Sequence, residues 1–191
     1  TSTGNVIDTS ALNSASAGVY QTERYYSADM LATLSGLTAG NNYTVRLHFA
    51  DLLNSAANQS KFNVLINGTQ VLTNFDLYAT AGARYKSVVQ DFVATADGNG
   101  QILVNFDLAT GNYVQVSGIE VLSGGVAVKK VNAGNLPGTS GLSIYPDFDN
   151  RGTIAVSNGN QLTVNSLTSN SSNITVTGAG SELELSGSWT N

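Results

Sequence analysis

Along most of this chain the apolar residues fall on every second position, and that period constrains the fold more than any other feature. Tyr43, Val45, Leu47 and Phe49 alternate with Thr44, Arg46 and His48, and Phe62, Val64 and Ile66 alternate likewise. A strand turns successive side chains to opposite faces, so this alternation marks a strand with one buried face. Asn67-Gly68 follows the second run at once, and the apolar pattern resumes at Val71. Asn-Gly between two alternating runs signals a hairpin, because both turn positions need positive φ. Further strands are expected over 85–95, 101–108 and 114–122, with Asp97-Gly98-Asn99-Gly100 turning between the first two. Helix is expected at most as short pieces at 28–33 and 51–58. Short strands joined by polar turns predict an all-β protein built as an antiparallel β-sandwich.

The remaining composition fits such a protein outside the cell. The 191 residues suffice for one sizeable all-β domain with a smaller appendage. Charged residues make up 11%, against roughly a quarter in ordinary soluble domains. Asn, Ser, Thr and Gly take their place, giving a hydrogen-bonding surface suited to neutral partners such as glycans. The net charge of −5 leaves no basic footprint for nucleic acid and no cationic face for an anionic membrane. Cysteine is absent, which removes disulfides and thiolate metal sites. No apolar run is long enough to cross a bilayer. A chain opening at Thr1 rather than Met is expected to be a mature or excised form.

Composition shifts after Gly124-Gly125. Three parts are expected: a sandwich over 1–125, an extra strand at 126–132 with a Gly- and Pro-containing loop to 152, and a β-repeat over 153–191. In the last part Ile154, Val156, Leu162 and Val164 are echoed by Ile174, Val176, Leu183 and Leu185. That spacing reads as one coil of a solenoid-like extension or a short meander. Two copies are too few to bury a core alone, so the repeat is expected to pack on the sandwich, continue into a further region or pair with another molecule. It resembles the passenger repeats of bacterial autotransporter-like surface proteins.

Five segments, in order, carry a second resemblance. They are Tyr20-Gln21-Thr22-Glu23-Arg24-Tyr25, Tyr43-Thr44-Val45-Arg46-Leu47-His48-Phe49-Ala50-Asp51, Phe62-Asn63-Val64-Leu65-Ile66-Asn67-Gly68, Asn74-Phe75-Asp76-Leu77 and Ser117-Gly118-Ile119-Glu120-Val121-Leu122. Over about residues 15–123 the chain resembles the malectin-like carbohydrate-binding modules, whose patterns read YQTERY, YTVRLHFAE and FDVxINGxxV. The resemblance implies a jelly-roll-like β-sandwich that binds glucose-containing sugars through aromatic loop residues and performs no catalysis. It makes Tyr25 a sugar contact. The family's next aromatic pair falls on Leu53 and Asn54, and its late acidic contact falls in Thr110-Gly111-Asn112-Tyr113, which has no carboxylate. The family's opening strand is also missing from its place. Something like it stands after the sandwich, at Val131-Asn132-Ala133-Gly134-Asn135. A circular permutation, a tandem array and a strand donated to a neighbour all account for that order.

The candidate carbohydrate-binding residues are Tyr25, Tyr26, Asn112 and Tyr113. Glu23 and Arg24 read as a structural ion pair anchoring a loop, or as groups that hydrogen-bond sugar hydroxyls bidentately. His48 is the single histidine and lies on the polar phase of its strand, so neither a Ser-His-Asp triad nor a histidine metal cluster can be assembled. Asp51, Asp76, Asp91 and Asp107 show no spacing that pairs two carboxylates across a cleft. No cofactor is expected. Asp147, Asp149 and Asn150 are hard oxygen donors in one loop, a weak Ca²⁺ candidate beside the reading of an ordinary polar turn. Trp189 reads as core or interface packing, or as an exposed sugar platform. The sequence thus predicts a non-enzymatic secreted or cell-surface module that binds neutral glycans. The alternative is a structural subunit of an extracellular fibre, surface layer or matrix, whose partners are neighbouring copies of itself joined by strand exchange or stacking.

Overall fold

The computed structural model describes residues 1–133, 143–144, 148–150, 153–165, 167–170 and 173–186. The chain separates into two compact units, Thr1–Gly134 and Asn135–Asn191.

In the first unit the described elements run α1 (Ala17–Tyr20), β1 (Arg24–Tyr26), β2 (Met30–Leu34), β3 (Asn42–Ala50), β4 (Ser60–Ile66), β5 (Thr69–Phe75), α2 (Leu77–Ala81), β6 (Ser87–Thr95), β7 (Ile102–Gly111), β8 (Val114–Val116), β9 (Gly118–Ser123) and β10 (Val126–Asn132). Two four-stranded antiparallel sheets form, in the orders β10-β9-β3-β6 and β2-β7-β4-β5. The inward phases of β3 (Val45, Leu47, Phe49) and β9 (Ile119, Val121) meet those of β4 (Phe62, Val64, Ile66) and β7 (Ile102, Val104, Phe106) in one core. Phe49 and Phe62, from opposite sheets, stand with ring centroids 6.1 Å apart. The alternation therefore resolves as expected, into the two inner faces of a sandwich. At the β4–β5 hairpin Asn67 and Gly68 have φ of 48° and 79°, the positive values a two-residue turn of this kind needs.

Three expectations change. Residues 30–34, overlapping the expected helical piece at 28–33, form strand β2 paired with β7, and 51–58 forms turns without helix. The helix α2 lies at 77–81 instead, where the Asp76 side chain accepts from the Ala79 amide at 2.9 Å and Gly82 ends the helix at φ 77°. The expected strand over 114–122 is broken at Ser117 into β8 and β9. The Ser117 hydroxyl is turned inward to accept from the Ala50 amide at 3.1 Å. His48, on the polar phase, is 1% exposed. The outer face of β3 is covered there by α1, whose Tyr20 hydroxyl lies 2.8 Å from His48 Nδ1.

Val126–Asn132 is not separate from the sandwich. It pairs antiparallel with β9 as the edge of the first sheet, with Lys130 opposite Glu120 and Val131 opposite Ile119. Across that sheet's outer face runs a ladder of opposite charges in register. Lys130 meets Glu120 at 3.4 Å, Glu120 meets Arg46 at 3.7 Å, and Arg46 holds Asp91 through two 2.8 Å hydrogen bonds. Cross-strand pairs of opposite sign fix register as well as adding stability.

In the second unit the described strands are β11 (Ser143–Ile144), β12 (Phe148–Asn150), β13 (Ile154–Val156), β14 (Gln161–Asn165), β15 (Leu167–Asn170), β16 (Ile174–Val176) and β17 (Glu182–Ser186). The two repeat copies pair in parallel, with Ile154 opposite Ile174, Val156 opposite Val176, Leu162 opposite Leu183 and Val164 opposite Leu185. These are the pairs the spacing singled out. Asp147 and Trp189, and the side chains of Asp149 and Asn150, lie outside what is described, so the Ca²⁺ candidate does too.

Candidate functional site

Three of the four expected contacts gather at one end of the sandwich, Tyr25 on the two-stranded ribbon of β1 and β8 and Asn112 and Tyr113 in the turn that leads into β8. The ribbon's register sets Tyr25 opposite Gln115 and Tyr26 opposite Val114. Directly opposed residues share a face, and residues two apart on an extended chain share it as well. Tyr25, Gln115, Tyr113 and Glu23 therefore lie on one face of the ribbon. Tyr25 and Tyr113 meet edge to face, with ring centroids 5.8 Å apart and planes at 74°, the arrangement the ring quadrupoles favour. Tyr25 is 46% exposed and Tyr113 half-buried. Tyr26 is exposed on the ribbon's other face, so the structure does not bring it into the tyrosine corner. Asn112 is exposed beside Tyr113, and its amide donates to the Ser60 hydroxyl at 3.2 Å.

The turn carrying Asn112 and Tyr113 is fixed by Gly111. Its φ is 92°, and a Cβ there would lie 2.2 Å from the Gln59 carbonyl oxygen. Only glycine allows both that φ and that approach of the backbones.

Behind the tyrosine corner lies a buried polar chamber that the sequence reading did not anticipate. Glu23, Asp51, Asn54 and Gln115 are each 4% exposed or less. The Asp51 carboxylate is well held. One oxygen accepts from the Leu53 and Asn54 amides at 3.0 and 2.8 Å, and the other from Asn54 Nδ2 at 2.8 Å. The Arg84 guanidinium donates to the Leu52 carbonyl and lies over the Tyr85 ring. Glu23 is held differently. Both its carboxylate oxygens are buried and make no hydrogen bond of good geometry, and the same holds for Asn54 Oδ1 and Gln115 Oε1. Burial first, and the neighbouring Asp51 charge second, push the Glu23 carboxyl up to about 8; the chain's amino end, the Leu52 amide and Arg84 pull more weakly the other way. Burial likewise raises the Tyr113 phenol, and the charges of Asp51 and Glu23 raise it further. That coupling sets Tyr113 against the chamber.

Of the expected loop-anchoring pair Glu23 and Arg24, the Glu23 side chain is buried. Neighbours on an extended chain point to opposite faces, and Glu23 points inward. That phase was the available signal: Glu23 is two residues from Tyr25 and so on its face. Of the positions matching the family's second aromatic pair, Asn54 is buried in the chamber and Leu53 half-buried. Among the described residues, no three or more of His, Asp and Glu form a group able to hold a metal ion, and no helix is long and apolar enough to cross a membrane.

The Malectin domain family model matches residues 2–123. The probable receptor-like protein kinase At1g30570 of Arabidopsis thaliana is 36% identical over 95 residues, 50% of this chain and 11% of that protein. The chain thus spans about a tenth of that relative's length. The crystal structure of the ANX2 ectodomain from Arabidopsis thaliana superposes with a TM-score of 0.56 at 22% identity, covering 63% of this chain and 38% of that one. A structure of the plant peptide RALF23 in complex with FER and LLG2 matches with a TM-score of 0.55 at 18% identity, covering 63% and 37%. At these identities the structural matches carry the fold alone. The family model ends at residue 123, and the resemblance of the later repeat to autotransporter-like proteins draws no support from these matches.

Proposed function

The chain belongs to the malectin domain family, and we propose that it is an extracellular, non-catalytic module that binds a neutral glycan at the Tyr25–Tyr113 corner. The observation that carries this reading is the corner itself: two aromatic rings nearly perpendicular, one of them about half exposed, at one end of a rigid sandwich. A pyranose ring lays its apolar C–H face on one ring while the second ring closes its side, and its hydroxyls reach polar neighbours. Asn112, exposed beside Tyr113, is such a neighbour. Tyr26, on the other face of the ribbon, lies outside this surface. The extracellular placement is supported by the ectodomains that share the fold. The pairing of β10 within its own sheet supports a self-contained module over assembly by strand exchange.

A second reading follows from one comparison. A solved structure of the same fold contains the peptide RALF23 together with FER and LLG2, which favours a peptide or protein partner. Calorimetric titration with gluco-oligosaccharides separates the two. On the glycan reading wild type gives a saturable heat, and Tyr25→Ala or Tyr113→Ala each weakens it by about tenfold or more, as expected when roughly 1.4 kcal/mol of contact is lost. No heat with any of these sugars overturns that reading and leaves the peptide one.

A further inference from the structure

We infer that the Glu23 carboxyl, with the side-chain carbonyls of Asn54 and Gln115, is an inner tier of this site that receives hydroxyl groups of the ligand beneath the tyrosine corner. The inference rests on the glycan reading of the corner and adds binding residues to it.

The argument starts from hydrogen-bond accounting. Buried polar atoms in folded proteins are almost always partnered. Here four acceptor oxygens, two from Glu23 and one each from Asn54 and Gln115, are buried in one region and make no hydrogen bond of good geometry. Three independent observations put them behind the corner. The β1–β8 register sets Gln115 opposite Tyr25. Asn54 is tied to Asp51 at 2.8 Å. The charges of Asp51 and Glu23 both act on the Tyr113 phenol. Of the donors in the neighbourhood, Asn54 Nδ2 is engaged with Asp51 and one terminal nitrogen of Arg84 with the Leu52 carbonyl, while Arg84 Nε is itself buried without a partner. The two amide carbonyls only accept, and the Glu23 carboxyl adds two further acceptors once ionised, so the set is weighted toward a ligand that donates. A hexose presents several O–H donors on one edge of its ring. A uronate replaces one of them with a carboxylate, which meets these oxygens as a like charge or a second acceptor. The ligand class is therefore a neutral sugar with adjacent free hydroxyls. Tyr25 shares the face of Gln115 and packs against Tyr113, and exposed side chains change rotamer within nanoseconds, so admission of a hydroxyl calls for ring rotation.

A pH signature follows. Hydrogen bonds donated to a carboxylate favour its charged form. Glu23 holds its proton up to about 8 in the free protein. The other groups facing it are Asp51 at the end of β3, Arg84 after α2, the Thr1 ammonium and the Tyr113 phenol. A ligand that donates to Glu23 expels its proton, so affinity rises with pH through that range.

The test is calorimetric titration of the whole chain with maltotriose, cellotriose and laminaritriose, and with glucuronate as the charged comparison, between pH 6 and 9. Wild type binds a neutral trisaccharide and not glucuronate, with affinity rising severalfold toward pH 9. Glu23→Gln weakens binding by roughly tenfold, the scale for a hydrogen bond to a charged group, and flattens the pH profile. The same variant is expected to be more stable than wild type at pH 9, so weaker binding in a more stable protein cannot be a folding defect. Gln115→Leu, which removes a second acceptor, weakens binding in the same direction. If Tyr25→Ala abolishes binding while Glu23→Gln binds as wild type with the same pH profile, the inner tier is wrong and the corner stands. If wild type binds none of the neutral sugars, the inner tier and the glycan reading both fall.

Discussion

Replacing Glu23 by Gln is predicted to stabilise the protein in mildly alkaline solution and to remove most of its pH dependence between 5 and 9. Glu23 is 1% exposed, its carboxylate makes no hydrogen bond of good geometry, and its carboxyl is pushed from 4.5 to about 8. A carboxyl that holds its proton more tightly when folded makes stability fall as pH rises. The loss begins near the unfolded value of 4.5 and is complete above about 8. The interval corresponds to a ceiling of about 5 kcal/mol at about 1.4 kcal/mol for each pH unit. Local relaxation and water entry lower the real cost of a buried charge, leaving about 2–4 kcal/mol. Gln keeps the volume and carries no charge, so the variant escapes that loss. For a chain of this size the gain at pH 9 corresponds to roughly 5–15 °C in Tm. Urea denaturation of both proteins at pH 5, 7 and 9 measures it, and the difference between them cancels groups that titrate in both. Glu120 is held below its ordinary value chiefly by its hydrogen bond from His48, so its own effect falls at acid pH, below this window. Stability curves that run parallel from pH 5 to 9 would refute the account of a buried carboxyl without a hydrogen bond of good geometry.

Two further perturbations test other parts of the architecture. Arg46→Met cuts the charge ladder between Asp91 and Glu120 while keeping the side-chain stem; with both arginine and partners partly exposed, it should cost about 1 kcal/mol in urea denaturation, and the difference should shrink in 1 M salt. Gly111→Ala forces a Cβ against the Gln59 carbonyl; it should cost roughly 1–3 kcal/mol of stability and weaken sugar binding by displacing Tyr113, although residue 111 itself offers the ligand no side chain.

The strands were legible because alternation is a property of neighbouring residues. Tyr43 to Phe49 and Phe62 to Ile66 declare their faces without help from the rest of the chain. Asn67-Gly68 announces its own turn, and the repeat pairs Ile154–Ile174 and Leu162–Leu183 stack in the register their spacing implies. Met30–Leu34 was harder. Its apolar residues do not alternate cleanly, and pairing with β7 decides the matter. Helix α2 had readable ends, Asp76 as its cap and Gly82 as its stop, but a five-residue body too short to show a helical period. His48 has the phase of an exposed residue and is buried because α1 folds over it, a contact made from outside its strand. The chamber was the least legible. Glu23 and Gln115 share a face through the β1–β8 pairing, and Asp51 joins them from the end of β3. No local pattern links segments so far apart in sequence. The same pairing brought Tyr25 to Tyr113 and turned Tyr26 away.

The central claim is that the tyrosine corner holds a neutral sugar. The most direct test is calorimetric titration of the whole chain with neutral gluco-oligosaccharides, run beside Tyr25→Ala and Tyr113→Ala variants confirmed as folded by near-UV circular dichroism. Saturable binding to wild type, weakened by about tenfold or more in each variant, is the predicted result. Binding that survives both substitutions unchanged, or no binding by wild type, would contradict it.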